Sequence, residues 1–179
     1  MNKYLMALLG LLSVVNSAKA ENQYTPYIGA DAVYNKAKAH SLRPQYYGAN
    51  LNIGTSYNPY FGTEVFYTQV GKETKKISES EKYKTSYRAY GLDVFAYTPS
   101  FLRFKAFATA GAGFYVLKEK TLQNGHTSDE GYGYRFGGGL VYQITSHIAL
   151  RGVARYVNFD HISNIDHMAE YVVGLRYVF

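Results

Sequence analysis

The sequence lacks cysteine altogether, which excludes a disulfide scaffold and a metal site built on thiolates. It also lacks tryptophan, although 20 tyrosines and 10 phenylalanines raise the aromatic content to 17%. Beyond residue 20, no apolar run approaches the length of a membrane-spanning helix. A mature chain that resides in a membrane must therefore cross it as a closed β-barrel.

The first 20 residues have the parts of a secretory signal peptide. Lys3 provides a short charged head, an apolar run follows it, and residues 18–20 form an A-x-A cleavage site. A membrane-anchoring helix is the alternative, but it needs roughly 20 apolar residues and this run is shorter. We predict a cleaved signal peptide over residues 1–20 and one mature domain over residues 21–179.

The composition favours β-structure and an exported protein with a mildly basic surface. Seventeen glycines accompany the aromatic residues, a combination typical of strands and tight turns. The hydrophobic content of 47% exceeds what a disordered chain needs, and 179 residues suit a single domain. Without Lys3 and Lys19 of the predicted signal peptide, 17 basic residues face 13 acidic ones, a formal net charge of +4. This balance suits anionic lipid headgroups or polyanionic glycans, whereas nucleic acid is not expected as a partner.

Apolar and polar side chains alternate along the mature chain. From residue 131 to 144, the even positions carry mostly tyrosine, phenylalanine, leucine and isoleucine, while the odd positions include glycine, arginine and glutamine. The same alternation occurs over 47–57 and 147–157. A period of two places the two sets on opposite faces of a strand. We interpret the polar face as a packed interior and the apolar face as a lipid coat, because a soluble sandwich rarely has arginine, glutamate and glycine opposite its apolar face.

These segments predict eight strands, each about as long as the roughly 9–11 residues that a tilted strand needs to cross a bilayer. The predicted strands cover residues 24–35, 45–57, 60–71, 84–98, 103–118, 131–144, 147–158 and 168–179. Tight turns are predicted at residues 58–59, 98–100 and 145–146, and long polar loops at residues 36–44, 72–83, 119–130 and 159–167. The predicted fold is all-β, an eight-stranded antiparallel transmembrane up-and-down β-barrel.

The final residues, YVVGLRYVF, alternate strictly and end on an aromatic side chain. They resemble the C-terminal strand signature of Gram-negative outer-membrane barrels, which is read by the barrel-assembly machinery. The matching residues are Tyr171, Val173, Leu175, Tyr177 and Phe179. With the segment YIGADAVY, the eight strands and the size, nearly the whole mature chain resembles the small outer-membrane β-barrel superfamily of opacity-type and OmpA/OmpX-like proteins. The resemblance implies a monomer in the outer membrane of a Gram-negative bacterium, in contact with membrane lipid and lipopolysaccharide.

Strand parity places nine charged residues inside the predicted barrel. They are Asp31, Glu64, Asp93, Lys105, Arg135, Arg151, Arg155, Glu170 and Arg176. Eight strands leave room for side chains but not for an open channel, so we predict that these charges pair into a structural plug. The alternative is a gated pore in which pairs such as Glu170 with a neighbouring arginine exchange partners.

The predicted outer loops differ in charge. The first two are basic and form the predicted interaction surface, with Lys36, Lys38, Arg43, Lys72, Lys75, Lys76, Lys82 and Lys84. The last two carry Asp129, Glu130, Asp160 and Asp166, so the rim is predicted to be electrostatically polarised. A host surface protein or an anionic glycan is the expected partner of the basic half.

One loop motif resembles an enzyme site. His126 and Ser128, followed by Asp129 and Glu130, are similar to the His, Ser and acid of lipid A deacylases of the same barrel size. Those enzymes carry the residues on strand faces, whereas Asn124-Gly125 predicts a loop tip here. We therefore predict no catalytic residue.

A second motif repeats Asp-His at residues 160–161 and 166–167. Two imidazoles and two carboxylates can hold a divalent metal, but in a polar loop they are more often solvated. We predict no metal and no cofactor. The sequence thus predicts a non-enzymatic surface protein that acts through its loops, in adhesion, host-factor interaction or envelope integrity. The alternatives are a narrow porin-like channel and, less favoured, a lipid A-modifying enzyme.

Overall fold

The computed structural model describes residues 24–38, 45–71, 73–78, 81–121, 126–160 and 167–179. The predicted signal peptide lies outside these residues. The strands are β1 (Thr25–Lys38), β2 (Gln45–Asn58), β3 (Phe61–Val70), β4 (Glu73–Ser78), β5 (Glu81–Tyr97), β6 (Phe104–Thr121), β7 (His126–Gln143), β8 (Ile148–Asp160) and β9 (His167–Val178). Within the described ranges, no helix has the length and apolar character required to cross a membrane.

The strands close into a barrel because both ends of the sheet find a partner. Every pairing is antiparallel, β1 pairs with both β2 and β9, and β3 pairs with β5. The segments β3 and β4 both pair with β5, so they occupy the same place in the barrel and count as one strand that is interrupted after Val70. The predicted fold, a closed eight-stranded antiparallel barrel, is confirmed.

Burial follows strand parity. On β8, Arg151, Val153 and Arg155 are buried, while Leu150 and Tyr156, on either side of this stretch, are exposed. Two clusters of buried apolar side chains fill the interior, one on the outer-loop side around Phe66 and Tyr115 and one on the turn side around Phe107. The prediction that polar side chains and packed residues face inward, with an apolar coat outside, is confirmed.

Aromatic side chains form a belt at each end of the apolar coat. The outer belt, on the side of the long connections, contains two rows of directly paired residues, Tyr67–Tyr90–Phe114–Tyr132 and Tyr171–Tyr34–Tyr47. The inner belt, on the turn side, contains Phe61, Phe104, Tyr142, Tyr177 and Phe179. Such girdles mark the two interfaces of the bilayer, so the apolar band between them locates the membrane.

The structure corrects two of the predicted loops. Pairing of β6 with β7 continues to Lys120 and His126, whereas pairing of β7 with β8 begins only at Tyr132 and Asp160. Residues 73–78, 81–88, 116–121 and 126–131 therefore form a four-stranded sheet beyond the outer belt, which we call the sheet extension. Loops were predicted at 72–83 and 119–130 because these segments are polar. Outside the lipid, a strand needs no apolar face, so polar segments can still pair through their backbones.

The turn between β5 and β6 also lies later than predicted. Phe101 and Phe104 bridge each other around Leu102 and Arg103, whose φ angles are 47° and 72°. Positive φ at both central residues is the geometry of a type I′ hairpin turn, which usually contains asparagine or glycine. Proline at position 99 predicted the turn at residues 98–100. Leu102 and Arg103 are not typical turn residues, so no local signal pointed to the later turn.

Candidate functional site

Eight charged side chains meet inside the barrel, four acids and four arginines, and each residue is at most 5% exposed. They are Asp31, Glu64, Asp93, Glu170, Arg135, Arg151, Arg155 and Arg176. The formal charges cancel. Lys105, the ninth residue predicted to lie in this group, is only half-buried near the turn side and makes no ion pair within the described ranges. Lys105 lies at the start of β6, close to the solvent-exposed end of the barrel, and is therefore not enclosed with the other charges.

Four of these residues form the first cluster. Arg151 Nε donates to Asp31 Oδ1 at 2.8 Å, and Arg151 Nη2 contacts Asp31 Oδ2, which makes the pair bidentate. Arg151 Nη1 and Arg176 Nη2 both donate to Glu64 Oε2 at 2.8 Å. The hydroxyl of Tyr27 donates to the same oxygen at 3.1 Å. Charge-assisted and bidentate contacts of this kind are the strong hydrogen bonds of proteins.

The second cluster has the same composition. Arg135 Nε donates to Asp93 Oδ1 at 2.6 Å, and Arg135 Nη2 contacts Asp93 Oδ2. Arg155 joins two acids, with Nη1 at 3.1 Å from Glu170 Oε1 and Nη2 at 3.3 Å from Asp93 Oδ2. The guanidinium of Arg135 also stacks on Phe66, 3.2 Å from the ring centroid. Each cluster thus pairs two carboxylates with two arginines.

Neutral polar side chains complete the hydrogen bonding of Asp31. Asn50 Nδ2 and Asn52 Nδ2 donate to Asp31 Oδ2 at 2.6 Å and 2.9 Å, and Thr68 Oγ1 donates to Asn50 Oδ1 at 2.9 Å. The predicted set of interior charges did not include these neutral residues. Alternation over 47–57 places Asn50 and Asn52 on the polar, inward face, and Thr68 has the inward parity of β3, but their hydrogen bonds depend on the strand register.

Both bidentate pairs span a glycine on the strand between them. Asp31 and Arg151 are each register partners of Gly174, and Asp93 and Arg135 are each register partners of Gly111. A Cβ at Gly111 would overlap Asp93 Oδ1, and a Cβ at Gly174 would overlap Asp31 Oδ1. The barrel therefore uses the same device twice, in which an inward glycine gives a carboxylate room to reach an arginine two strands away.

We expect Gly111→Ala to destabilise the barrel by about 1–3 kcal/mol, as overpacking does in other close-packed interiors. The free energy of unfolding in lipid vesicles, from urea titration, measures this effect. Gly152→Ala is the matched control, because a Cβ there meets no atom within 4 Å. Equal stability of the two variants would show that the glycine at 111 is not required for the Asp93–Arg135 pair.

The predicted interaction surface lies at the outer end of the barrel. Lys36 is exposed on β1, with Nζ 5.7 Å from the ring centroid of Tyr34 in the outer belt. Lys38, Lys75, Lys76, Lys82 and Lys84 occupy strand positions in β1, β4 and β5 rather than loops. Arg43, Lys72 and Asp166 lie outside the described residues. Asp129 and Glu130 are in β7, and Asp160 ends β8, so the acidic positions are also largely on strands.

The structure describes most of the enzyme-like motif but only part of the Asp-His motif. His126, Ser128 and Glu130 share one parity on β7, and Asp129 has the other, so only one of the two acids belongs to the same strand face as His126 and Ser128. In the Asp-His repeat, His161 lies outside the described residues, while His167 stacks on Tyr156 with ring centroids 5.3 Å apart. Among the residues that the structure describes, no group of three or more potential metal ligands occurs.

The five residues of the predicted assembly signal all lie on the outward face. Their exposed fractions are 47% for Tyr171, 60% for Val173, 52% for Leu175, 47% for Tyr177 and 71% for Phe179. The backbone N–H of Phe179 donates to the carbonyl of Pro26 at 3.0 Å. Recognition by the assembly machinery stays a prediction.

The closed barrel, its two aromatic belts and its charged interior define an outer-membrane β-barrel protein. The chain belongs to the outer membrane protein β-barrel domain family, whose model matches residues 5–179. This confirms the resemblance to small outer-membrane barrels and implies residence in the outer membrane of a Gram-negative bacterium. No curated protein matches the sequence significantly.

Three solved structures illustrate the likeness. Neisserial surface protein A aligns with a TM-score of 0.73 at 18% identity, over 86% of this chain and 97% of that one. Ail, the attachment invasion locus protein of Yersinia pestis, solved with the heparin analogue sucrose octasulfate, aligns with a TM-score of 0.65 at 14% identity, over 87% and 99%. A major outer membrane protein from Thermus thermophilus gives 0.68 at 9% identity, over 87% and 99%. At these identities the likeness shows the fold alone.

Proposed function

We propose that the protein is a non-conducting outer-membrane barrel that binds polyanionic ligands at the cell surface through its basic outer rim. The observation that carries the proposal is the filled, charge-neutral interior. Four acids and four arginines there are paired with one another. A side-chain-filled lumen of eight strands leaves the outer end as the place where the protein meets other molecules.

The charge of the rim supports a polyanion as the ligand. Lys36 is exposed beside the outer belt, and Lys75, Lys76 and Lys82 lie at the far end of β4 and β5. Ail, a barrel of the same fold, has been solved with a heparin analogue. A sulfated glycan offers many closely spaced anions to such a set of lysines, and adhesion through it fits a surface protein.

Changing Lys75, Lys76 and Lys82 together to glutamate should weaken attachment to heparin or to glycan-bearing host cells. Reversing three charges should lower the affinity by about tenfold or more at low salt, with a smaller difference at high salt because salt screens exposed charges. Immobilised heparin and the purified, folded barrel provide the measurement. Arg103→Glu is the control, because it alters the charge at the opposite, turn side of the barrel.

The alternative, a porin-like channel, predicts a steady ion current through the same proteins. A barrel with paired interior charges should pass little or no steady current in planar bilayers. Large steady currents from the wild-type protein, together with heparin binding that the triple variant retains, would replace the proposed surface role with transport.

A further inference from the structure

The turn between β5 and β6 exposes two large apolar side chains at the turn side of the barrel. Phe101 and Leu102 are each 75% exposed, more than any other large apolar residue in the described ranges. The turn between β7 and β8, by contrast, exposes the polar residues Thr145, Ser146 and His147. An exposed apolar patch usually marks a surface that contacts a membrane or another protein.

The backbone of this turn is strained at two residues. Leu102 and Arg103 have φ angles of 47° and 72°, and no other non-glycine residue that the structure describes has a positive φ. Asparagine or glycine would fit the same turn without strain. A backbone outlier is a reason to look for a function of the side chains that it presents. We call Phe101, Leu102 and Arg103 the turn tip.

Hydrogen bonds hold the turn tip in place against the neighbouring turn. The backbone N–H of Phe101 donates to the carbonyl of Phe104 at 2.9 Å, and the N–H of Phe104 donates back at 2.8 Å. The N–H of Gln143, at the end of β7, donates to the carbonyl of Arg103 at 2.9 Å. The turn tip is therefore a preformed part of the barrel, and the contact of its side chains with a partner requires little further ordering of the backbone.

The turn tip lies directly beside the inner belt. Phe104 of that belt packs on Tyr142, with ring centroids 4.6 Å apart, and Leu102 precedes Phe104 by one step of two residues. One such step covers about 7 Å of strand. The headgroup region on each side of the hydrocarbon is roughly 5–8 Å thick. The turn tip is therefore at the depth of the phospholipid headgroups of the inner leaflet.

We propose that the turn tip anchors the barrel in the inner leaflet of its own membrane. Phe101 and Leu102 lie among the acyl chains next to the headgroups, and Arg103 binds headgroup phosphate through charge-assisted hydrogen bonds. Two observations select phospholipid as the partner: the apolar surface is continuous with the inner belt, and the arginine complements anionic phosphate. The anchor is at the opposite end of the barrel from the basic rim and does not depend on the surface role proposed above.

Tryptophan fluorescence tests the proposal at one site at a time, because the sequence contains no tryptophan. The single variants Phe101→Trp, Phe104→Trp and Ser146→Trp place the probe in the turn tip, the inner belt and the polar turn. Each barrel is reconstituted in vesicles of phosphatidylethanolamine and phosphatidylglycerol, with or without bromine on the acyl chains close to the headgroups. Brominated lipid quenches a tryptophan that contacts the chains. A heat-dependent shift in gel mobility verifies that each protein is folded.

The emission of Phe101→Trp should be shifted to short wavelength and quenched by brominated lipid as strongly as that of Phe104→Trp. Ser146→Trp should emit at longer wavelength and be quenched much less. If Phe101→Trp behaved like Ser146→Trp, the turn tip would be in water and the proposal would be wrong. Emission at short wavelength without quenching by brominated lipid would indicate contact with a protein or with a second copy of the chain, and would also overturn the proposal.

The role of Arg103 is tested in the Phe101→Trp background. Arg103→Gln should lower the ratio of inserted to water-exposed turn tips about fivefold, because each basic residue near an anionic surface contributes roughly that factor. Lys105→Gln is the matched control, since it removes the same charge from a half-buried position near the turn side. An unchanged ratio in Arg103→Gln, or an equal loss in Lys105→Gln, would show that Arg103 does not bind the phosphate. Heparin plays no part in these experiments, so either proposal can fail alone.

Discussion

Replacing Asp93 by alanine is expected to lower the free energy of unfolding by about 3–5 kcal/mol, the usual result of leaving a buried charge without its partner. Arg135 would lose both of its contacts to the carboxylate, and Arg155 would lose one. Glu170 would then be the one acid of this cluster left to pair with both guanidiniums. Urea titration of the barrel in lipid vesicles gives the free energy.

Removing both partners of the pair should cost much less than removing one. The double variant Asp93→Ala/Arg135→Met keeps the remaining charges balanced, because Arg155 still contacts Glu170 at 3.1 Å. We expect it to recover most of the stability lost by the single variant, as replacements of whole buried pairs do in other proteins. Glu130→Ala, at an exposed acid, should stay within about 0.5 kcal/mol of the wild type. Additive effects of the two interior changes would show that Asp93 and Arg135 do not stabilise each other.

The second large effect concerns the apolar coat. Leu51 is 60% exposed and lies on β2 between Tyr47 of the outer belt and Tyr57 near the turn. Leu51→Arg would place a guanidinium in hydrocarbon near the middle of the bilayer, at an expected cost of about 2–4 kcal/mol. The same vesicle titration measures it.

Depth should set the size of this effect. Leu140 and Leu150 face outward as predicted, at 56% and 40% exposure, but Leu140 lies one step from Tyr142 of the inner belt. Leu140→Arg should therefore cost less than Leu51→Arg. Tyr60→Arg, at the exposed turn, should cost about 0–1 kcal/mol, because charges near the interface reach water. If all three variants lost the same stability, the region between the belts would not be the membrane-spanning band.

The strand pattern could be predicted because it depends on neighbours in the chain. Alternation places Arg151 and Arg155 on one face and Leu150 and Tyr156 on the other, whatever the partner strands are. The ends of the strands were predicted less well. Turn residues and polar composition predicted loops at 119–130, where pairing of β6 with β7 in fact continues. Outside the membrane, polarity does not distinguish a solvated strand from a loop.

The sequence alone determined the class of fold, the inward set of charges and the lipid-facing coat, because each follows from a period of two along a single strand. Only the tertiary structure decided which charges meet. The contact of Asp31 with Arg151 depends on the closure of β1 against β9 and on the register that places Gly174 between them. The backbone register of Asp93 with Gly111 likewise depends on the pairing of β5 with β6. A shift of register by one residue would change every such partner. The register cannot be derived from the sequence of a single strand.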